Sequence, residues 1–440
     1  MLWLLAVVCL AEICASEASH RTLHRNHKLR RPALLSSDDV LYDLARFPYE
    51  EPPRTPDNMT FMLRDPDARL NVTQIIKRWG YPVENHKIIT RDGYILQIQR
   101  IPYGRAGPPS SVRGGRRRVA YLQHGLLSSS FDFVNNLPNE SLGYIMADHG
   151  YDVWLGNVRG NTYGRQHVNM TPSENKFWKF TFDEFIAIDV PTIIDYILNK
   201  TGVKSLYYVG HSQGTTVMFG LLATQMSYQR KVAAFAALAP VANVSTITSP
   251  VRYLAPISHD LDKLVELLGS GELLGNSLFL RFLAKTMCAF SLTRKLCTDA
   301  IFIVCGLDTR QLNTTRIPVY VSHTPAGTSV RNVAHFAQEV LSRRFQMYDF
   351  GARGNTRRYG QATPPEYNTR NIRETPIALY WSQNDWLADP LDVLVLTERL
   401  PSIARIHRIQ EDRFTHLDFL LGVRANQLVY KDVLEFLSRY

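Results

Sequence analysis

At 440 residues, 45% hydrophobic and 20% charged, the chain is long and apolar enough to bury a sizeable core. That profile excludes a largely disordered protein and fits either one large domain with an insertion or two ordinary domains. The net charge of +10 is partly local: residues 20–31 hold five Lys/Arg and three His without an acid, and Arg116, Arg117 and Arg118 form a second knot.

The chain opens on a mostly apolar stretch, residues 1–15, too short to span a bilayer and followed by the small residues Ala15, Ser16 and Ala18. It reads as a signal peptide, residues 1–18. Glu12 and Glu17 are its only charged residues, so its removal raises the net charge from +10 to +12. No later run approaches the roughly 20 apolar residues of a transmembrane helix. Asn-X-Ser/Thr sequons at Asn58, Asn71, Asn139, Asn169, Asn199, Asn243 and Asn313 support export as a glycoprotein. In an exported chain the basic knots suit an anionic lipid or polysaccharide surface, or a solvated tail, better than nucleic acid.

Cys9 and Cys14 leave with the signal. Cys288, Cys297 and Cys305 remain, an odd count that implies one bridge and one free thiol in an oxidising compartment. No ligand spacing for a metal accompanies them. Residues 19–70, rich in Pro and charge around Glu50-Glu51-Pro52-Pro53-Arg54-Thr55-Pro56, read as an N-terminal extension and candidate propeptide.

Order begins near Asn71. Extended runs at 86–90 and 94–100 flank Arg91-Asp92-Gly93, a tight-turn signal that predicts a hairpin. Residues 104–115 read as an exposed loop. Strand patterns follow at 119–123, 151–155, 206–210 and 232–238, with helical patterns at 182–199 and 213–225. Two more strands, 377–381 and 406–409, and a helix over 425–439 close the chain. The alternation predicts an α/β fold with a mostly parallel sheet covered by helices on both faces. Residues 243–371 break the rhythm, with a broad apolar helical face at 261–287, and read as an inserted cap. The core is thereby divided into residues 71–242 and 372–440.

Gly210-His211-Ser212-Gln213-Gly214 lies between the strand at 206–210 and the helix that follows. A Gly-X-Ser-X-Gly pattern recurs by chance, but a strand-to-helix setting is what a nucleophile elbow requires. The glycines permit the sharp turn, and the helix N-terminus supplies free N–H groups beside the serine oxygen. A serine hydroxyl needs a base, and that base an orienting acid, arriving in the order Ser, Asp/Glu, His. Asp385 follows the strand at 377–381, and His416 follows the strand at 406–409. Asp389 is the rival acid, and His407 is discounted because it falls within a strand. The peptide N–H groups of Gln213 and Leu126, the latter in His124-Gly125-Leu126-Leu127, are the candidate oxyanion donors. His124 reads as a loop-packing residue and His211 as one that shapes the elbow.

At this point the chain resembles the acid lipases, the family of lysosomal acid and gastric lipases. The resemblance rests on residues 122–127, 152–157, 159–162, 207–215, 325–330, 385–389 and 416–419, and it runs from about Asn71 to the C-terminus. It implies an α/β-hydrolase fold, a Ser212–Asp385–His416 triad, and oxyanion donors at Leu126 and Gln213. It further implies a Cys288–Cys297 disulfide with Cys305 free, and a movable lid near residues 274–305. The implied activity is hydrolysis of triacylglycerols or cholesteryl esters, without a metal or cofactor, at an emulsion, droplet or membrane surface, in a secreted or lysosomal setting. The long basic extension and Gly164-Arg165-Gln166-His167 depart from the family pattern. Competing readings are a carboxylesterase for soluble esters, an acyltransferase with the same acyl-enzyme, and an inactive lipid-binding homologue.

Overall fold

The computed structural model describes residues 65–108, 118–259, 271–274 and 310–440. The signal segment, the extension before Asp65, Asn58, the three remaining cysteines, the helical stretch at 261–287 beyond residues 271–274, and the expected lid after Leu274 lie outside them.

The hairpin forms as its turn chemistry requires. Strand β1 (Glu84–Ile89) pairs antiparallel with β2 (Tyr94–Ile101), and Gly93 takes a φ of 95° between them. Thr90 Oγ1 donates to Asp92 Oδ1 at 2.6 Å and accepts from the Tyr94 N–H at 2.9 Å, which locks the turn. Next come β3 (Arg118–Gln123), β4 (Tyr151–Leu155) and the two-residue β5 (Gln166–His167). Strands β6 (Leu206–His211) and β7 (Val232–Leu238) follow. A short β8 (Glu272–Leu273) pairs antiparallel with β9 (Thr328–Ser329), and β10 (Ile377–Trp381) and β11 (Ile403–Arg408) return to the main sheet. The sheet order is β1-β2-β4-β3-β6-β7-β10-β11, with β5 paired to β2. From β4 through β11 every pairing on that path is parallel.

Helices cover both faces. Leu122 of β3 and Val209 of β6 join one buried cluster with Val433 and Phe436; their neighbours Tyr121 and Tyr208 join the other with Ile193 and Phe219. Alternation with period two sends successive side chains to opposite faces, so both faces need apolar cover. β11, at the edge, alternates half-buried with exposed residues. Arg405 and His407 stand on its half-buried side facing Asp432 while Ile406 is exposed, which dilutes the apolar signal, so sequence pattern marks only its second half.

The principal helices are α1 (Val72–Arg78), α2 (Leu142–Asp148), α3 (Val190–Thr201), α4 (Gln213–Thr224), α5 (Ile317–His323), α6 (Val330–Ser342), α7 (Gly351–Tyr359), α8 (Pro390–Arg399) and α9 (Lys431–Leu437). The helix anticipated over 182–199 is compound: one turn at Phe182–Glu184, a π turn at Phe185–Asp189, then α3. Pro191 lacks an N–H and its ring collides with a regular i−4 carbonyl, which a widened turn relieves. The C-terminal helix likewise enters through a π turn, Asn426–Tyr430. Between β7 and β10 the chain builds the insertion that carries α5, α6 and α7, with α6 packed on the turn Pro250–His259.

Arg159 is the buried electrostatic tie of the N-terminal half. Its guanidinium donates to both Asp189 oxygens and both Asp92 oxygens, at 2.6–3.1 Å, and sits 4.0 Å over the Tyr94 ring. The loop after β4, the π turn and the hairpin are thus fixed to one cation. Removing one partner of such a cluster strands the other charges. Arg159→Ala should lower stability by about 3–5 kcal/mol in urea unfolding; a change within measurement error would show that the cluster is not a tie.

Candidate active site

The site lies at the C-terminal ends of the parallel strands. Ser212 stands between β6 and α4 with φ 53° and ψ −122°, a left-handed conformation that a non-glycine residue adopts only under constraint. Two glycines explain how the turn fits. A Cβ on Gly210 would lie 2.8 Å from the Gly214 carbonyl, and one on Gly214 would lie 2.4 Å from the Gln123 carbonyl at the end of β3. Any side chain there would meet backbone, which cannot swing away. The Ser212 N–H donates to Leu238 O at 3.0 Å, tying the turn to β7. Gln213 opens α4, so its N–H has no acceptor within the helix.

The acid and the base come from the two last strands. The Asp385 Oδ1 accepts the N–H groups of Leu387 and Ala388 at 2.9 and 2.8 Å, which fixes the carboxylate. His416 Nδ1 lies 3.0 and 2.9 Å from the two Asp385 oxygens, and both residues are buried. A carboxylate accepts, so Nδ1 carries the proton and Nε2 offers its lone pair. Asp389 instead caps α8, accepting from the Leu391 N–H at 2.9 Å and from Thr246 Oγ1 at 3.0 Å. His407 sits on β11, 3.2 Å from Leu428 O and 3.4 Å from Asp432. Neither rival shares the Asp385–His416 pair.

His211 does more than shape the elbow. Its Nε2–H donates to the His416 carbonyl at 2.9 Å, and the two rings lie 4.9 Å apart. Burial, with the neighbouring His416 imidazole, pushes its pKa well below the ordinary histidine value, so it works as a neutral donor. Asp418 steadies the same loop by accepting the Thr415 N–H and hydroxyl at 2.6 and 2.8 Å. The residue beside the serine therefore carries the loop of the histidine. Sequence pattern marks the position of His211 but not this reach across 205 residues.

The loop after β3 closes the site. A Cβ on Gly125 would come within 3.1 Å of Ser212 Cβ, so the Gly125–Leu126 backbone passes directly over the serine. His124 sets its orientation, donating from Nδ1 to Gly125 O at 2.8 Å while Nε2 accepts from Asn161 at 3.1 Å. Burial lowers the His124 pKa to about 4, which keeps this tautomer neutral. Asn161 also donates to Ser128 O and to Asn157 Oδ1, and Asn157 accepts the Ser130 N–H. The motif residues Asn157 and Asn161 thus form the frame under the loop, a role for His124 and its partners beyond simple packing. Below them Asp132 accepts the Ser128 hydroxyl, and burial raises its carboxyl to about 7 against the pull of Ser128 and the Gly125 amide.

The structure therefore places the Asp385–His416 pair next to the Ser212 elbow through the His211 bond, and sets the Gly125–Leu126 loop against Ser212. Among the sequons, Asn71, Asn139, Asn169 and Asn199 are exposed, and Asn243 and Asn313 are partly covered. Asn71 caps α1 through its side-chain oxygen, which leaves the amide nitrogen available. Among the described residues no group of His, Cys, Asp or Glu could hold a metal ion, and no helix is long and apolar enough to cross a membrane.

Comparison with known proteins agrees with this fold. Residues 72–137 match the model of a partial α/β-hydrolase lipase region, and residues 121–422 match that of the α/β hydrolase fold. The chain is 43% identical to human gastric triacylglycerol lipase over 85% of its own length and 92% of the relative. It is 41% identical to human lysosomal acid lipase/cholesteryl ester hydrolase over 86% and 92%. Lipase lipl-1 of Caenorhabditis elegans is 41% identical over 84% and 92%.

The packing at the elbow and beneath the loop is open to mutation. Gly214→Ala should separate α4 from the end of β3 and remove the folded, active form; a soluble variant with normal ester turnover would contradict the close approach. The raised Asp132 carboxyl means that the folded chain binds this proton more tightly than the unfolded chain. Its stabilising effect is complete below the ordinary carboxyl value of 3.8 and is lost as pH rises through about 7. Asp132→Asn keeps the acceptor for Ser128 and should flatten the fall in denaturant midpoint between about pH 4 and pH 7. Parallel pH profiles for the two proteins would rule out this assignment.

Proposed function

The chain belongs to the acid lipase family of α/β hydrolases and is a serine ester hydrolase, and we propose that it cleaves triacylglycerols, cholesteryl esters or both through Ser212, His416 and Asp385. The observation that carries this reading is the buried Asp385–His416 pair beside the strained Ser212 turn. His416 Nε2 takes the Ser212 proton as the hydroxyl oxygen attacks the ester carbonyl. Negative charge then grows on the carbonyl oxygen and is met by the peptide N–H groups of Leu126 and Gln213. One such donor is worth roughly 10²–10³ in turnover. His416 passes its proton to the departing alcohol, leaving an acyl-serine. Water, deprotonated by the same imidazole, releases the fatty acid and restores Ser212. The fixed Asp385 carboxylate holds the tautomer and stabilises the imidazolium formed at each step.

The substrate's acyl chains require a covered apolar groove and a lipid–water surface, which gives the insertion between β7 and β10 its use as a cap. Division of the chain into a cap at 243–371 and core parts at 71–242 and 372–440, a lid near 274–305, and a Cys288–Cys297 bridge with Cys305 free belong to the same reading. So does an exported destination, the gut lumen or another extracellular space, or the lysosome, supported by the exposed sequons and the two human relatives.

Ser212→Ala should cut ester turnover by roughly 10⁴–10⁶-fold while leaving the unfolding midpoint nearly unchanged. Emulsified triolein and cholesteryl oleate, assayed over a pH series with the unmutated protein, measure preference and optimum together. Turnover that survives the loss of the Ser212 hydroxyl would remove the serine from its role.

A further inference from the structure

We infer that the segment of the insertion from Ala326 to Asn332 braces both oxyanion donors, and that Asn332 is a positioning residue for ester hydrolysis. The inference rests on the proposed roles of Leu126 and Gln213. Among the hydrogen bonds from this short segment to the core, one reaches the loop after β3 and another reaches the first residue of α4. On the first side the Ala326 N–H donates to Leu127 O at 2.6 Å. Leu127 follows the Leu126 donor and has a φ of 60°, a left-handed conformation that a leucine keeps only when its surroundings enforce it. The Thr162 hydroxyl donates to the Ala326 carbonyl at 3.3 Å, holding the same residue from its other side.

On the second side, the Gln213 side-chain amide donates to Asn332 Oδ1 at 3.2 Å, and Asn332 Nδ2 donates to Thr328 Oγ1 at 3.1 Å. The Asn332 N–H donates to Ser329 Oγ at 2.9 Å, capping α6, and the Ser329 hydroxyl donates to Phe180 O at 2.6 Å. Ala326, Ser329 and Asn332 are fully buried, and Thr328 and Gln213 nearly so. A buried amide with its oxygen and nitrogen both engaged has one orientation available, because any other leaves a desolvated group without a partner. Gln213 is thereby held at the first residue of α4, the position proposed to supply the second oxyanion donor. The two contacts lie within one short run of chain, so a shift of this segment moves both donors together. Oxyanion stabilisation depends on donors fixed before the charge develops, and slack on this scale is felt in turnover rather than in ground-state binding.

The test uses the full-length enzyme, with active sites counted by a phosphonate that reacts with Ser212. On emulsified triolein and on a short soluble p-nitrophenyl ester, Asn332→Ala should lower kcat roughly ten- to a hundredfold with KM unchanged. Asn332→Asp should restore most of that loss, since one oxygen accepts from Gln213 while the other meets the Thr328 hydroxyl. Gln213→Ala retains the peptide N–H, and combined with Asn332→Ala it should be no slower than the slower single variant. A raised KM at constant kcat, multiplied losses in the double variant, or a lowered melting temperature with normal kcat per titrated site would each overturn the brace. If Asn332→Ala does not fold, Thr328→Val and Gln213→Ala apply the same criteria from either end. An enzyme silenced by Ser212→Ala but indifferent to Asn332 loses only this inference; one not silenced loses the reading beneath it.

Discussion

The strained turn at Ser212 is the constraint that governs the architecture around it. A left-handed serine between a strand and a helix persists only when neighbouring backbone leaves it no alternative. Here that enclosure is made by contacts without side chains: Gly214 against the Gln123 carbonyl, Gly210 against Gly214, and Gly125 against the serine itself. The parallel sheet supplies the geometry, because β3, β6 and β7 are adjacent and end at the same edge. The turn is therefore a product of the sheet order as much as of its own five residues.

Around that turn the protein uses histidines for two different purposes. His416 lies against a carboxylate that is itself fixed by two peptide N–H groups, the arrangement that its proposed role as base requires. His211 and His124 lie within a few ångströms of the same crevice and are buried where charge is penalised, so they serve as neutral hydrogen-bond donors. One steadies the histidine loop and the other the loop over the serine. The difference lies in what each ring faces, a carboxylate or peptide carbonyls. Residue type alone does not separate them.

The alternating apolar runs were enough to identify the α/β architecture, since β4, β7 and β10 are short stretches buried at nearly every residue. The β11 edge strand, the two-residue strands β5, β8 and β9, and the π turns before α3 and α9 were much less legible. Edge strands mix apolar with polar residues, two-residue strands carry no periodicity, and a π turn is a local answer to crowding. At the site, Ser212, Asp385 and His416 could be named from strand ends and chain order. Chain order left Asp389 open as a rival and the motif resemblance favoured Asp385; the reason Asp389 is otherwise engaged, the α8 cap, appears only in the structure.

The class of fold, the family and the identity of the candidate nucleophile, acid and base could all be read from the order of amino acids, because they follow from short-range patterns: periodicity, glycine spacing and motif order. The side chains that hold those groups in place were chosen by folding. His211 reaches His416 across 205 residues and Gln213 reaches Asn332 across 119. Such partners are selected by the sheet order and by the need of every buried polar atom for a bond, conditions that exist only once the chain has folded.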